Sequence, residues 1–185
     1  ANVEVVTADV SELVLDRRLS DRRIFPARPP LRAPRRARET AGSDWMRTRS
    51  GPLLAELHAH TTWSDGDLSI PRLVDVYGSR GYDVLCITDH VTRGAADPFG
   101  TPGVTADAFP GYLDELEREG GRAAETFGML LLPGLELSWN DLDPDNAAHA
   151  VAVGLRRHVS LEDGLEVALE EAAGAGAALV ATHPF

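Results

Sequence analysis

His58 and His60 stand two residues apart in LHAHTTWSDG, at the end of an apolar run, and Asp65 follows them in a turn. In an extended strand, residues i and i+2 point to the same face about 6.6 Å apart, close enough for two imidazoles to lean onto one ion. Three more histidines hold comparable positions: His90 follows DVLCITD, His149 lies in AHAVAVGL and His183 ends ALVATH. His158 alone follows an arginine pair outside any such run. A solitary histidine on a core face is usually a hydrogen-bonded structural residue, but five at strand positions shift the balance. Carboxylates accompany them: Asp65 in the turn, Asp89 beside His90, and Glu136 within PGLELS. Imidazole with carboxylate is a donor set for zinc, manganese or iron, and a carboxylate between two sites can bridge ions about 3.5–4 Å apart. The chemistry these residues predict is metal binding.

The elements that must position them read as strands alternating with amphipathic stretches. PLLAELHAH, DVLCITDH, MLLLPGLELSW, AHAVAVGL and ALVATHPF are strand candidates. SIPRLVDVYGSRG, the segment from Thr105 to Phe127, and SLEDGLEVALEEAAGAG are helix candidates, the last opened by Ser160 with Asp163 three residues on. Near-continuous apolar strands separated by helices predict a parallel sheet or barrel with its site at the carboxyl ends of the strands. Two tempting motifs fail on context. DLDPDN at 141–146 opens like a calcium loop but has Ala152 where the closing Glu should stand, and it reads as a turn. GAGAAL at 174–179 follows a helix instead of a strand and reads as a helix stop.

Composition narrows the function classes. The chain has 185 residues, 43% of them hydrophobic, enough for one domain with a sizeable core. Residues 1–50 carry 11 Arg against 7 acidic residues, and residues 51–185 carry 7 Arg against 22. The net charge is therefore +4 in the first part and −15 in the second. An acidic globular part disfavours nucleic acid as the main partner. All 18 basic residues are arginine, which excludes a P-loop lysine, a Schiff-base lysine and a Ser-x-x-Lys pair. RIFPARPPLRAPRRARET has no helical or strand periodicity, so residues 1–50 are read as an Arg/Pro-rich N-terminal extension, largely disordered. The single Cys86 sits inside an apolar run and is read as a buried strand thiol without a chemical role. No apolar run reaches the ~20 residues of a membrane span and ANVEVVTADV lacks the order of a secretory signal, so the expected setting is cytoplasmic.

The ordered set HAHTTWSDG, ITDH, PGLELS, HAVAVGL and THPF resembles the polymerase and histidinol phosphatase (PHP) family of metal-dependent phosphoesterases, from about Leu53 to Phe185. The resemblance implies that residues 51–185 form a PHP domain, a distorted (β/α)7 barrel with two to three divalent ions at its carboxyl face. It implies that His58 and His60 hold a first ion, that Glu136 bridges it to a second held by His149 and His183, and that Asp65 with His90 holds a third. Asp89 is expected to orient a ligating imidazole rather than to ligate. The family also closes its site with an Asp-x-His, and none occurs in this chain. The sequence supplies about five of the seven strands, and only the second site has its full ligand set. This predicts a C-terminally truncated piece of a longer protein, because an open barrel would leave a bare apolar edge strand.

The function that follows is hydrolysis of a small phosphomonoester or phosphodiester by a metal-bound hydroxide, with no catalytic side chain separate from the metal ligands. Arg93, just after TDH, is a candidate contact for the substrate phosphate. Two alternatives stay open: an ester or amide hydrolase on the same fold, and a non-catalytic metal-binding module of a larger protein.

Overall fold

The computed structural model describes residues 52–182. The extension assigned to residues 1–50 and the ligand assigned to His183 lie outside the described residues. Among the described residues are strands β1 (Ala55–Ala59), β2 (Val84–Ile87), β3 (His90–Val91), β4 (Leu130–Trp139), β5 (Ala148–Val153) and β6 (Ala178–Thr182). They alternate with helices α1 (Ile70–Ser79), α2 (Phe109–Phe127) and α3 (Leu165–Gly174). The strands form a sheet in the order β1-β2-β4-β5-β6, with β3 paired to β4. The result is a mixed α/β fold whose sheet curls into a half-barrel.

The predicted all-parallel sheet is corrected at β5. β1, β2 and β4 are parallel neighbours and β3 is parallel to β4, but β5 is antiparallel to both β4 and β6. The cause is loop length: a parallel return needs a crossover of about a dozen residues or more, and only residues 140–147 separate β4 from β5. The reversal serves the site. It sets His149, near the amino end of β5, opposite Ser138 of β4 and opposite Thr182 at the carboxyl end of β6. Likewise β3 sets His90 opposite Glu136.

Two helices cover the sheet by their apolar stripes. In α1 the buried positions are Ile70, Leu73, Val74, Tyr77 and Gly78, the spacing of one helical face, and Pro71 starts the helix where no backbone donor is needed. In α2 they include Phe109, Tyr112, Leu116 and Ala123, and the helix stops at Gly128 with φ 64°, a left-handed conformation suited to glycine. Burying each large apolar side chain of this core contributes roughly 1.5–3 kcal/mol. Tyr112 is fully buried and its hydroxyl donates to the carbonyls of Ile87 (3.3 Å) and Gly134 (3.1 Å), tying β2 to β4 beneath the site.

The third helix begins later than its cap signal predicts. Ser160 accepts from the Glu162 amide in a turn, and α3 starts only after Gly164, whose φ of 106° is incompatible with helix. DLDPDN is the predicted turn, with Asp143 accepting from the Asp145 amide at 3.1 Å. Gly174 ends α3, as GAGAAL suggests. Along β6, Leu179 and Val180 are exposed, unlike the wholly buried β2. Among the described residues no helix is long and apolar enough to cross a membrane.

Candidate metal centre

Glu136 is the hub of the site. It lies on β4 with 1% of its side chain exposed, and four imidazoles from three segments close on it: His58 and His60 at the end of β1, His90 on β3 and His149 on β5. His60 Nε2 is 3.1 Å from Oε2 and His90 Nδ1 is 2.9 Å from the same oxygen. His149 Nδ1 is 3.3 Å from Oε1 and His58 Nε2 is 3.7 Å from it. Thr182 Oγ1 donates to Oε1 at 3.2 Å. The rings are in mutual contact, with centroids 4.8 Å apart for His58 and His60 and 4.2 Å apart for His60 and His90.

The far side of each ring is held as well. His58 Nδ1 meets Thr88 Oγ1 at 2.8 Å, which leaves Nε2 as the nitrogen turned to the centre. His60 Nδ1 meets Asp65 Oδ1 at 2.8 Å, and the other oxygen of Asp65 lies 3.4 Å from His90 Nε2. His90 Nδ1 also meets Ser138 Oγ at 2.6 Å, and His149 Nε2 meets Asn140 Oδ1 at 2.9 Å. A β-bulge in β1 between Glu56 and Ala59 interrupts the ladder next to His58.

These contacts shift the charges. Burial alone would raise the Glu136 carboxyl, but His149, His60 and His90 outweigh it and hold the pKa far below the carboxylate range. For His60, burial pushes the imidazole down, yet Glu136 and then Asp65 pull it above its ordinary value. Burial opposes ionisation of Asp65 too, and His60 and His90 still lower its pKa.

The donor set fits a cation. His60 Nε2 and Glu136 Oε2 are both buried without an aligned hydrogen bond although they face each other at 3.1 Å. Two donors bound to one zinc at ~2.0–2.1 Å in a tetrahedron stand about 3.3 Å apart, close to this separation. Packed imidazoles at this spacing would repel one another if protonated, whereas a divalent ion uses their lone pairs directly. Two groups have donor atoms close enough to share an ion: His58 with His60 and Glu136, and His60 with Asp65 and His90. His60 thus borders both, whereas the sequence alone assigned it to the first ion only.

The other predicted residues divide. Asp89 is fully buried, but it accepts from the Thr61 amide (2.7 Å), the Thr61 hydroxyl (2.8 Å) and Ser64 Oγ (2.6 Å). It therefore shapes the turn that carries His60 and Asp65, its carboxylate oxygens taken up by these donors. Arg93 lies with its guanidinium carbon 4.3 Å from the centre of the Trp139 ring, and its Nη2 donates to the Asn140 carbonyl. His158 is in neither donor group and packs against the Val104 carbonyl and the Phe109 ring. Cys86 is buried on β2, where burial pushes its thiol up to about 12.

Thr88, Ser138, Asn140 and Thr182 were missed from the sequence. Two carried a usable signal, since Ser138 is i+2 from Glu136 on the same strand face and Thr88 is i+2 before His90. Asn140 follows the end of β4 and had none.

Comparison with known proteins adds two kinds of likeness. Over 40 residues, 22% of this chain and 7% of the relative, the sequence is 42% identical to the DNA polymerase/3'-5' exonuclease PolX of Bacillus subtilis (strain 168). One similar solved structure is a two-domain protein of Bacteroides vulgatus containing a predicted PHP-like metal-dependent phosphoesterase. It shares 23% identity at a TM-score of 0.47, over 69% of this chain and 34% of its own. The chain resembles the PHP-like metal-dependent phosphoesterases. A second similar solved structure is a proposed metal-dependent phosphoesterase of Bifidobacterium adolescentis, with 24% identity, a TM-score of 0.35, and coverage of 57% of this chain and 29% of its own. The chain spans about a third or less of each of these relatives. No protein-family model matches it.

Proposed function

We propose that this chain is part of a PHP-type metal-dependent phosphoesterase, its curled sheet forming part of a distorted (β/α)7 barrel, and that it hydrolyses a small phosphomonoester or phosphodiester. The observation that carries the reading is the buried Glu136 carboxylate met by four imidazoles, with His60 Nε2 and Glu136 Oε2 facing each other unsatisfied. His58, His60 and Glu136 would hold one ion, Asp65 with His90 another, and His149 with Glu136 and His183 a third, giving two to three ions of zinc, manganese or iron. Such ions, when bound, acidify water and offset the negative charge that grows on the phosphoryl oxygens.

The chain's own groups do the rest. Thr88 and Asp65 fix the outer nitrogens of His58 and His60, so both rings keep one orientation. Glu136, sealed from water, keeps its negative charge at the centre over the whole working pH range. Asp89 holds the Thr61–Ser64 turn against the centre. Arg93, joined to the rim through Asn140, is placed in the reading as the cation that meets the substrate phosphate. The reading takes a small phosphorylated metabolite as substrate and a cytoplasmic setting, and the −15 charge of residues 51–185 disfavours nucleic acid as the main partner.

Hydrolysis of p-nitrophenyl phosphate and bis(p-nitrophenyl) phosphate, before and after chelation and on adding back zinc, manganese or iron, tests this. The reading expects phosphate release lost on chelation and restored by a metal. Turnover of aryl esters but not phosphates would replace it with the ester hydrolase, and metal binding without any turnover with the non-catalytic module.

A further inference from the structure

Asn140 stands just past the end of β4 and Asp97 in the loop between β3 and α2, each 8% exposed. Neither belongs to the donor set, yet they form a chain that ends on it. Asn140 Nδ2 donates to Asp97 Oδ2 at 2.7 Å and to Thr101 Oγ1 at 3.2 Å. An ionised carboxylate only accepts, so the amide must turn its NH2 to Asp97 and its oxygen the other way. That oxygen lies 2.9 Å from His149 Nε2 and it, too, only accepts. The proton of the neutral ring must therefore sit on Nε2.

We infer that Asn140, oriented by Asp97, is a positioning residue that fixes the His149 tautomer and presents Nδ1 as its ion-binding nitrogen. This rests on the metal reading given above. With the proton on Nε2, the Nδ1 lone pair faces Glu136 Oε1 at 3.3 Å, two acceptors that a cation between them satisfies. His58 is arranged oppositely, with Nδ1 on Thr88 and Nε2 turned inward. The sheet thus presents one histidine by each nitrogen.

Asp97 cannot easily turn. Its Oδ1 accepts from the amides of Phe99 (3.1 Å) and Thr101 (3.0 Å), so rotating the carboxylate would open the loop. Arg93 braces the other partner, donating to the Asn140 carbonyl while stacked on Trp139. The loop between β3 and α2 is therefore wired to an ion ligand on β5.

A single-atom exchange separates this relay from simple packing. In Asp97→Asn the loop amides keep the remaining side-chain oxygen, which puts an NH2 opposite Asn140. Asn140 satisfies it by flipping, and its own NH2 then donates to His149 Nε2. The ring proton moves to Nδ1 and closes that nitrogen to an ion.

Long-range 1H–15N spectra of the 15N-labelled chain read the tautomer directly, with the His149 signals identified by their loss in His149→Ala. In the zinc-loaded chain the expected pattern is a metal-shifted Nδ1 and a protonated Nε2. Zinc on Nε2 with a proton on Nδ1 overturns the inference while leaving the metal reading intact. In Asp97→Asn the expected result is an inverted tautomer, with zinc affinity at the affected site falling roughly 10–100-fold; an unchanged tautomer in a folded variant overturns the relay. Should the chain take up no zinc, the metal reading fails, and the metal-free spectrum at pH 8 still decides the tautomer. There a proton on Nε2 supports the relay and one on Nδ1 overturns it.

Discussion

Replacing Glu136 by Gln keeps the side chain's size and removes the charge on which the histidines converge. At 3.1 Å, and with an effective dielectric near 20, one unit charge acting on another contributes about 5 kcal/mol. Desolvating the buried carboxylate takes back several kcal/mol of this. A net loss of ~2.7 kcal/mol, or about 100-fold in affinity for a divalent ion, is the scale to expect. An ion present at 100 times its Kd stabilises the fold by ~2.7 kcal/mol, and at a concentration equal to its Kd by about 0.4 kcal/mol. For a domain of this size, 1 kcal/mol moves Tm by roughly 3–4 °C. Zinc at that fixed concentration should therefore raise the wild-type Tm by about 9 °C and that of Glu136→Gln by only 1–2 °C. Differential scanning calorimetry with and without zinc reads both values. If the variant, folded by circular dichroism, kept the full shift, Glu136 would not be the centre of the site.

Three further outcomes follow from the same geometry. A Cβ on Gly66 would lie 2.4 Å from the His60 carbonyl oxygen and 2.7 Å from the Thr61 nitrogen, so Gly66→Ala should cost ~1–3 kcal/mol in urea unfolding and weaken zinc binding by calorimetry; an unperturbed variant would mean that the turn can shift without moving His60. His60 has a raised pKa, so in the metal-free protein its contribution is complete below its ordinary 6.5 and lost as pH rises through the higher folded value, whereas that of Glu136 is complete above 4.5 and lost only far below it. The metal-free Tm should thus fall above pH 6.5 and saturating zinc should abolish the fall, which a Tm rising from pH 6 to 8 without metal would contradict. The buried Cys86, its thiol pushed up to about 12, should resist iodoacetamide at pH 8 until the protein unfolds, and rapid labelling of the native chain would disprove its burial.

Much of this was legible in the chain because its physics is local. A strand's two-residue period puts His58 and His60 on one side, and the apolar runs DVLCIT and MLLLPGLELSW become β2 and β4 where their continuity says they should. The apolar stripe of α1 is equally plain, since its spacing is that of a helix face. Strand direction was less visible, although the short 140–147 connection already argued for the hairpin that reverses β5. The start of α3 was misread because Ser160 satisfies a turn of its own and Gly164 adopts a backbone that no cap signal encodes. The partners of the ligands were the least legible. Asn140 meets His149 only because β5 folds back on β4, and Asp97 meets Asn140 across 43 residues of sequence. Such contacts are products of topology, and composition or spacing cannot reveal them.

The most direct test of the account is anomalous diffraction from crystals grown with zinc or manganese, measured across the absorption edge of the metal. The account predicts at least one strong peak within about 2.0–2.2 Å of donor atoms of His58, His60 and Glu136. Fully metal-equilibrated crystals with no anomalous peak at that centre would contradict it.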